Sequence, residues 1–201
     1  MQDRIDNPGR TRWRRFAAMM VPATAAVGAI LFGMQSGAIA ADITVSGQTF
    51  KIAADRLEGD GFKQYGGIVK EKNGRTHPVA LSEIDSAKLY KLCQSVRADL
   101  PGLPVVLTIN AGDDQPATAR DLLIAMDTLE GNATFSNIKI GRDATDLNPS
   151  AQAGSFGQNS EKVNITGVRQ VSRYTTAATF NLTGLRLKVN VGQDAKGKEC
   201  F

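Results

Sequence analysis

From Ile43 onward, apolar and polar residues alternate over short runs, and a period of two fits a strand with one buried face and not a helix. Ile43-Thr-Val-Ser46 and Gln48-Thr-Phe-Lys-Ile52 flank Gly47, and Pro104-Val-Val-Leu-Thr-Ile-Asn110 follows the turn dipeptide Pro101-Gly102. Phe62 to Val69 reads as a strand with a bulge or bend at Gly66-Gly67. Val163–Thr166, Thr175–Leu182 and Leu185–Val191 are expected to form a meander. In the last run Leu185, Leu187, Val189 and Val191 share one face, and Arg186 and Lys188 the other.

Two segments fit more than one element. Ile84–Val96 and Ala117–Leu129 carry apolar residues at helical intervals (Leu122, Leu123, Met126, Leu129), yet their neighbours are strand-like. Asp143–Asn159, rich in Asn, Pro, Ser and Gly, reads as a long loop. Leu57-Glu-Gly59 is echoed by Leu129-Glu-Gly131, and Ala133–Ile140 by Ala178–Leu187, as stacked strands would produce. The expectation is a mainly β chain: one β-rich domain over residues 41–201, as a sandwich, an open β-groove or a short β-solenoid, after an N-terminal hydrophobic leader.

That leader occupies residues 1–40. Arg10-Thr-Arg-Trp-Arg-Arg15 precedes the uncharged stretch Phe16–Met34, and Ala38-Ile39-Ala40 offers a small-x-small cleavage site at Ala38 and Ala40. It is read as a signal peptide or a signal anchor, holding the chain to a membrane if uncleaved, with its basic flank cytoplasmic and the domain outside. Five of the 24 basic and two of the 20 acidic side chains fall in residues 1–40, so the remainder carries 19 against 18. The pI of about 9.2 therefore belongs to the leader, and a near-neutral domain lacks the focused field that nucleic-acid binding needs.

Two cysteines in an exported domain are expected to pair. Cys93 lies mid-domain and Cys200 is the penultimate residue, so a bond between them would fasten the C-terminus. With a single histidine, His77, they lack metal-ligand spacing, and neither a metal nor a cofactor is expected. Asp113-Asp114 reads as a solvated loop, and the sequons at Asn132, Asn164 and Asn181 as products of Asn- and Thr-rich strands. Trp13 falls in the leader, at the expected membrane interface.

No catalytic residue is assigned. A serine esterase needs a nucleophile on a sharp turn, commonly Gly-x-Ser-x-Gly, with a base beside it. The nearest cluster, Gly154-Ser155-Phe-Gly157, lacks that frame, and His77 in Arg75-Thr-His-Pro78 reads as an exposed loop residue.

Several motifs carry a resemblance over nearly the whole chain. They are Thr11-Arg-Trp-Arg-Arg-Phe16, Val45-Ser-Gly-Gln-Thr-Phe50, Ala54-Asp-Arg-Leu-Glu-Gly59, Gln64-Tyr-Gly-Gly67, Leu92-Cys-Gln-Ser95, Thr179-Phe-Asn-Leu-Thr-Gly-Leu185 and Glu199-Cys-Phe201. The chain resembles an uncharacterised family of exported actinobacterial proteins, members of which bear only a domain label or, loosely, the name cholesterol esterase. The resemblance implies a mainly β extracytoplasmic protein and supplies no site residues. The reading is an exported cell-envelope or secreted protein of non-enzymatic binding or structural type, with an envelope protein or a lipid as partner. The alternatives are a lipid-binding β-groove and an esterase.

Overall fold

The computed structural model describes residues 44–201. In chain order the elements are β1 (Thr44–Val45), β2 (Phe50–Glu71), β3 (Thr76–Tyr90), β4 (Leu92–Leu100), β5 (Leu103–Ala111), β6 (Ala117–Ser136), β7 (Lys139–Asp143), α1 (Ala144–Leu147), β8 (Phe156–Thr176), β9 (Thr179–Asn181) and β10 (Arg186–Val191), then a 3-10 turn, Gly192–Ala195. The described residues form one compact unit.

Four long antiparallel strands close on themselves: β2 pairs with β3, β3 with β6, β6 with β8, and β8 with the start of β2. The result is a small barrel. Following paired residues around it leads from Gly66 through Ala80, Met126 and Ser172 to Phe50, sixteen residues back along the same strand. So large an offset requires steeply tilted strands. The inner layer is Ile52, Leu57, Phe62, Ile84, Leu122, Ile124, Val163 and Val168 with their neighbours. From the barrel wall a sheet continues outward as β4, β5 and β10, with β10 as its last strand.

The two ambiguous segments are strands, and the structure supplies the reason. On β6, Leu122, Ile124 and Met126 face the barrel interior, while Leu123 and Ala125 pack outside it. That outer cluster lies under Leu147 of α1 and Ala151, beside Leu81 and Tyr174. A strand apolar on both faces loses its period of two, and its apolar residues then fall at helical spacings by coincidence. The other segment runs through β3 and β4, interrupted at Lys91, where φ is +48°.

Three other expectations are corrected. The last three runs do not form a meander: β9 pairs with β6 and β10 with β5, so β8, β9 and β10 lie successively along the wall made by β5 and β6. Gly66 and Gly67 pair regularly with Ala80 and Val79, without a bulge. The Asp143–Asn159 loop is shorter than expected, holding the single turn α1 and giving way to β8 at Phe156. The echoed tripeptides are strand segments of a closed barrel, not turns of a solenoid. Ala38, Ala40 and the rest of the leader lie outside the described residues.

Candidate binding face

Strand β10 carries an alternation whose apolar side is uncovered. Leu187 and Val189 are 59% and 54% exposed, and Leu185 and Val191 are exposed too. On the same strand Asn190 is buried. An amphipathic strand normally turns its apolar side inward, and the register explains the reversal. Leu187 lies beside Ile109 of β5, Ile109 beside Gln94 of β4, Gln94 beside Ile52 of β2, and Ile52 beside Gln170 of β8. The next row runs Val189, Leu107, Val96, Phe50, Ser172.

Residues directly opposite one another in antiparallel strands share a face, so the exposed strip is the outward continuation of the barrel's inner surface. Along the first row burial fades from Gln170 and Ile52, both buried, through half-buried Gln94 and Ile109, to open Leu187. Leu100 and Leu103, at the β4–β5 turn, extend the apolar surface.

The reverse side of β4 and β5 is occupied by the C-terminal tail, while Arg186 and Lys188 on that side of β10 are exposed. Thr108 Oγ1 donates to the carbonyl of Lys198 at 3.1 Å, and the backbone N–H of Cys200 donates to Ser95 Oγ at 3.0 Å. Asn190 Nδ2 donates to the Val106 carbonyl on that side. Cys93 and Cys200 are joined by a disulfide, their Cα atoms 5.8 Å apart. Lys51 pairs with Glu199 at 3.1 Å and donates to the Phe201 carbonyl at 2.8 Å. The polar face of β4 and β5 is thus capped by chain from the same molecule, and the apolar face is left open.

Elsewhere the described residues hold no arrangement for nucleophilic catalysis. His77 is not a loop residue: it sits on β3 opposite Val69, half-buried, with its Nε2 2.6 Å from Glu71 Oε1. The carboxylate can only accept, so Nε2 carries the proton. No serine hydroxyl bonds His77 among the described residues. Ser155 donates its hydroxyl to the Gln152 carbonyl in the loop before β8. Asn73 Nδ2 reaches Glu71 at 2.7 Å and Arg75 Nε lies 3.5 Å from it. The bonds from His77 and then from Asn73 hold the Glu71 carboxyl below its ordinary pKa. This cluster closes the β2–β3 hairpin, and its overlooked sequence signal was Asn73-Gly74, a hairpin dipeptide.

Burial beside Glu83 pushes the Tyr65 hydroxyl up; it donates to Glu83, with Asn148 bonded to both. Asp113 forms an ion pair with Arg186, and among the described residues no acidic, histidine and cysteine side chains group as metal ligands. The barrel interior contains a void of only about 20 Å³, lined by Ile52, Leu57, Leu92, Leu122, Val168 and Phe180 among others. A depression of about 380 Å³ over Glu58, Asp60, Lys88 and Lys162 is open and polar. No described helix is long and apolar enough to cross a membrane.

Fold and face together define a class: a disulfide-locked β-barrel with a sheet extension apolar on its uncovered side. The chain belongs to DUF6230, a family of unknown function, whose pattern matches residues 46–201. No curated protein and no solved structure matches it.

Proposed function

We propose that this chain is an exported, non-enzymatic protein of the cell envelope or exterior that works by binding or assembly through the open face of β4, β5 and β10. The observation that carries this reading is the pair of rows from Ile52 to Leu187 and from Phe50 to Val189, along which the barrel's inner surface passes into an exposed one whose side chains are apolar except for Gln94. Large contiguous apolar patches on soluble domains mark interaction sites. Export is supported by the Arg10–Arg15 and Phe16–Met34 leader and by the disulfide, which suits an oxidising compartment. If Ala38-Ile39-Ala40 is not cleaved, the leader tethers the domain to the membrane.

A second reading, an acyl chain laid on the face, draws on one observation: partly exposed Phe180 also lines the void inside the barrel. The esterase alternative loses support because His77, although held by Glu71, reaches no serine hydroxyl among the described residues.

The test uses dilute purified chain and the dye 8-anilinonaphthalene-1-sulfonate. The wild-type protein is expected to enhance the dye's fluorescence and the double variant Leu187→Asp, Val189→Asp to lose most of that signal. Neither is expected to hydrolyse short or long acyl esters. Folded protein that leaves the dye dark, or ester turnover abolished by His77→Ala, would overturn the proposal.

A further inference from the structure

We infer that the occupant of the open face is a second copy of this chain, an inference that rests on the binding reading above and names its partner. Three observations point to a copy rather than to a membrane or a charged partner. The first is area. Leu100, Leu103, Leu185, Leu187, Val189 and Val191 are all exposed by two-fifths or more. With the half-buried residues between them they present on the order of 600 Å² of apolar surface. That is the top of the range for a monomer's largest patch and the per-partner minimum for a stable interface.

The second observation is charge. No charged side chain stands in the rows that cross the face, because Arg186, Lys188 and Arg97 belong to the opposite side of their strands. An uncharged patch meets its own image across a two-fold axis without like-charge repulsion, as an isologous interface requires. A membrane-docking surface instead turns basic residues to the same side as its apolar part, whereas here exposed Arg186 and Lys188 of β10 point to the opposite side and Arg186 is paired with Asp113.

The third observation is the strand edge. β10 pairs on one side only, with β5, and ends the sheet. A six-residue edge strand with open backbone groups and an apolar side is a template for a second chain, unless its own molecule covers it. The tail covers the reverse side of β4 and β5, leaves Arg186 and Lys188 of β10 exposed, and leaves both the apolar side and the edge of β10 open.

In the resulting dimer the β4–β5–β10 faces of two copies pack on one another, completing a core layer that each barrel leaves unfinished. Sedimentation velocity across about a thousandfold range of concentration tests this, using the full chain and, separately, residues 40–201. Wild-type protein is expected to shift from monomer to dimer in both forms. Leu187→Asp with Val189→Asp is expected to raise the dissociation constant at least tenfold. Lys188→Ser, on the same strand but the opposite side, is expected to leave it unchanged.

Closure of the Cys93–Cys200 bond and an unchanged far-ultraviolet spectrum identify folded variants. Monomers at every concentration, or a dimer indifferent to the double variant, overturn the inference. So does dimerisation by residues 40–201 but not by the full chain, which would make the N-terminal segment the occupant, or a monomer that binds phosphatidylcholine vesicles through Leu187 and Val189. Monomers whose dye signal still depends on Leu187 and Val189 leave the binding reading standing. Monomers without that signal sink both.

Discussion

Glu71 is a nearly buried carboxylate that stays ionised because His77 and Asn73 donate to it and Arg75 stands close. Asp143 is held low in the same way, by the hydroxyl and N–H of Thr145 and the N–H of Gly154. Both groups have folded-state pKa values below their unfolded ones. Their stabilisation is therefore complete above the ordinary carboxylate range, about 4, and is lost as pH falls through the lower folded values. The melting temperature is expected to hold level from neutrality to about pH 5 and to drop below about pH 4. Glu71→Gln should make that acid drop shallower, as read from thermal melts by circular dichroism at each pH. An equally steep drop in the variant would detach Glu71 from acid stability. Little of this cluster was legible in advance. Pro78 made His77 look like a turn residue, whereas it occupies a strand position opposite Val69. Its partner was hidden because a hairpin brings together residues six apart that composition alone does not relate.

At the level of the element, the alternation in Leu185–Val191 revealed which residues share a side and not which side is inside. The missing information lay on other strands: the C-terminal tail claims the polar side of β4 and β5, and β2 continues the apolar one into the barrel. Two positions on neighbouring strands separate burial from mere apolarity. Leu187 on β10 is open, whereas Val106 on β5 is 1% exposed. In urea unfolding of the dilute chain, Leu187→Ser should change stability by less than about 0.5 kcal/mol. Val106→Ala should cost about 1–3 kcal/mol through lost burial and the cavity left behind. A large penalty at Leu187 would mean that the face is covered within the monomer. The helix-or-strand ambiguity of Ala117–Leu129 has the same origin. A strand covered on both sides shows no amphipathic period, so spacing along it carries no element signature.

Over the whole molecule, the alternating runs were enough to indicate a single β-rich domain, but barrel closure was not, because it depends on β8 reaching the start of β2. That pairing joins residues more than a hundred positions apart, such as Phe50 and Ser172. The disulfide spans a similar range, 107 residues. By the chain-entropy argument, Cys200→Ser should lower the unfolding free energy by about 4 kcal/mol. The urea midpoint would move to lower concentration, and a midpoint within error of wild type would show that the bond constrains neither state. Its position in the sequence has a further consequence for biogenesis. If the chain is exported leader first, as proposed, Cys200 emerges 107 residues after Cys93, and Cys93 waits outside unpartnered in the interval. Closure of this one bond would then report delivery of the stretch between the two cysteines, and a pulse-labelled chain stalled within it would still alkylate at Cys93.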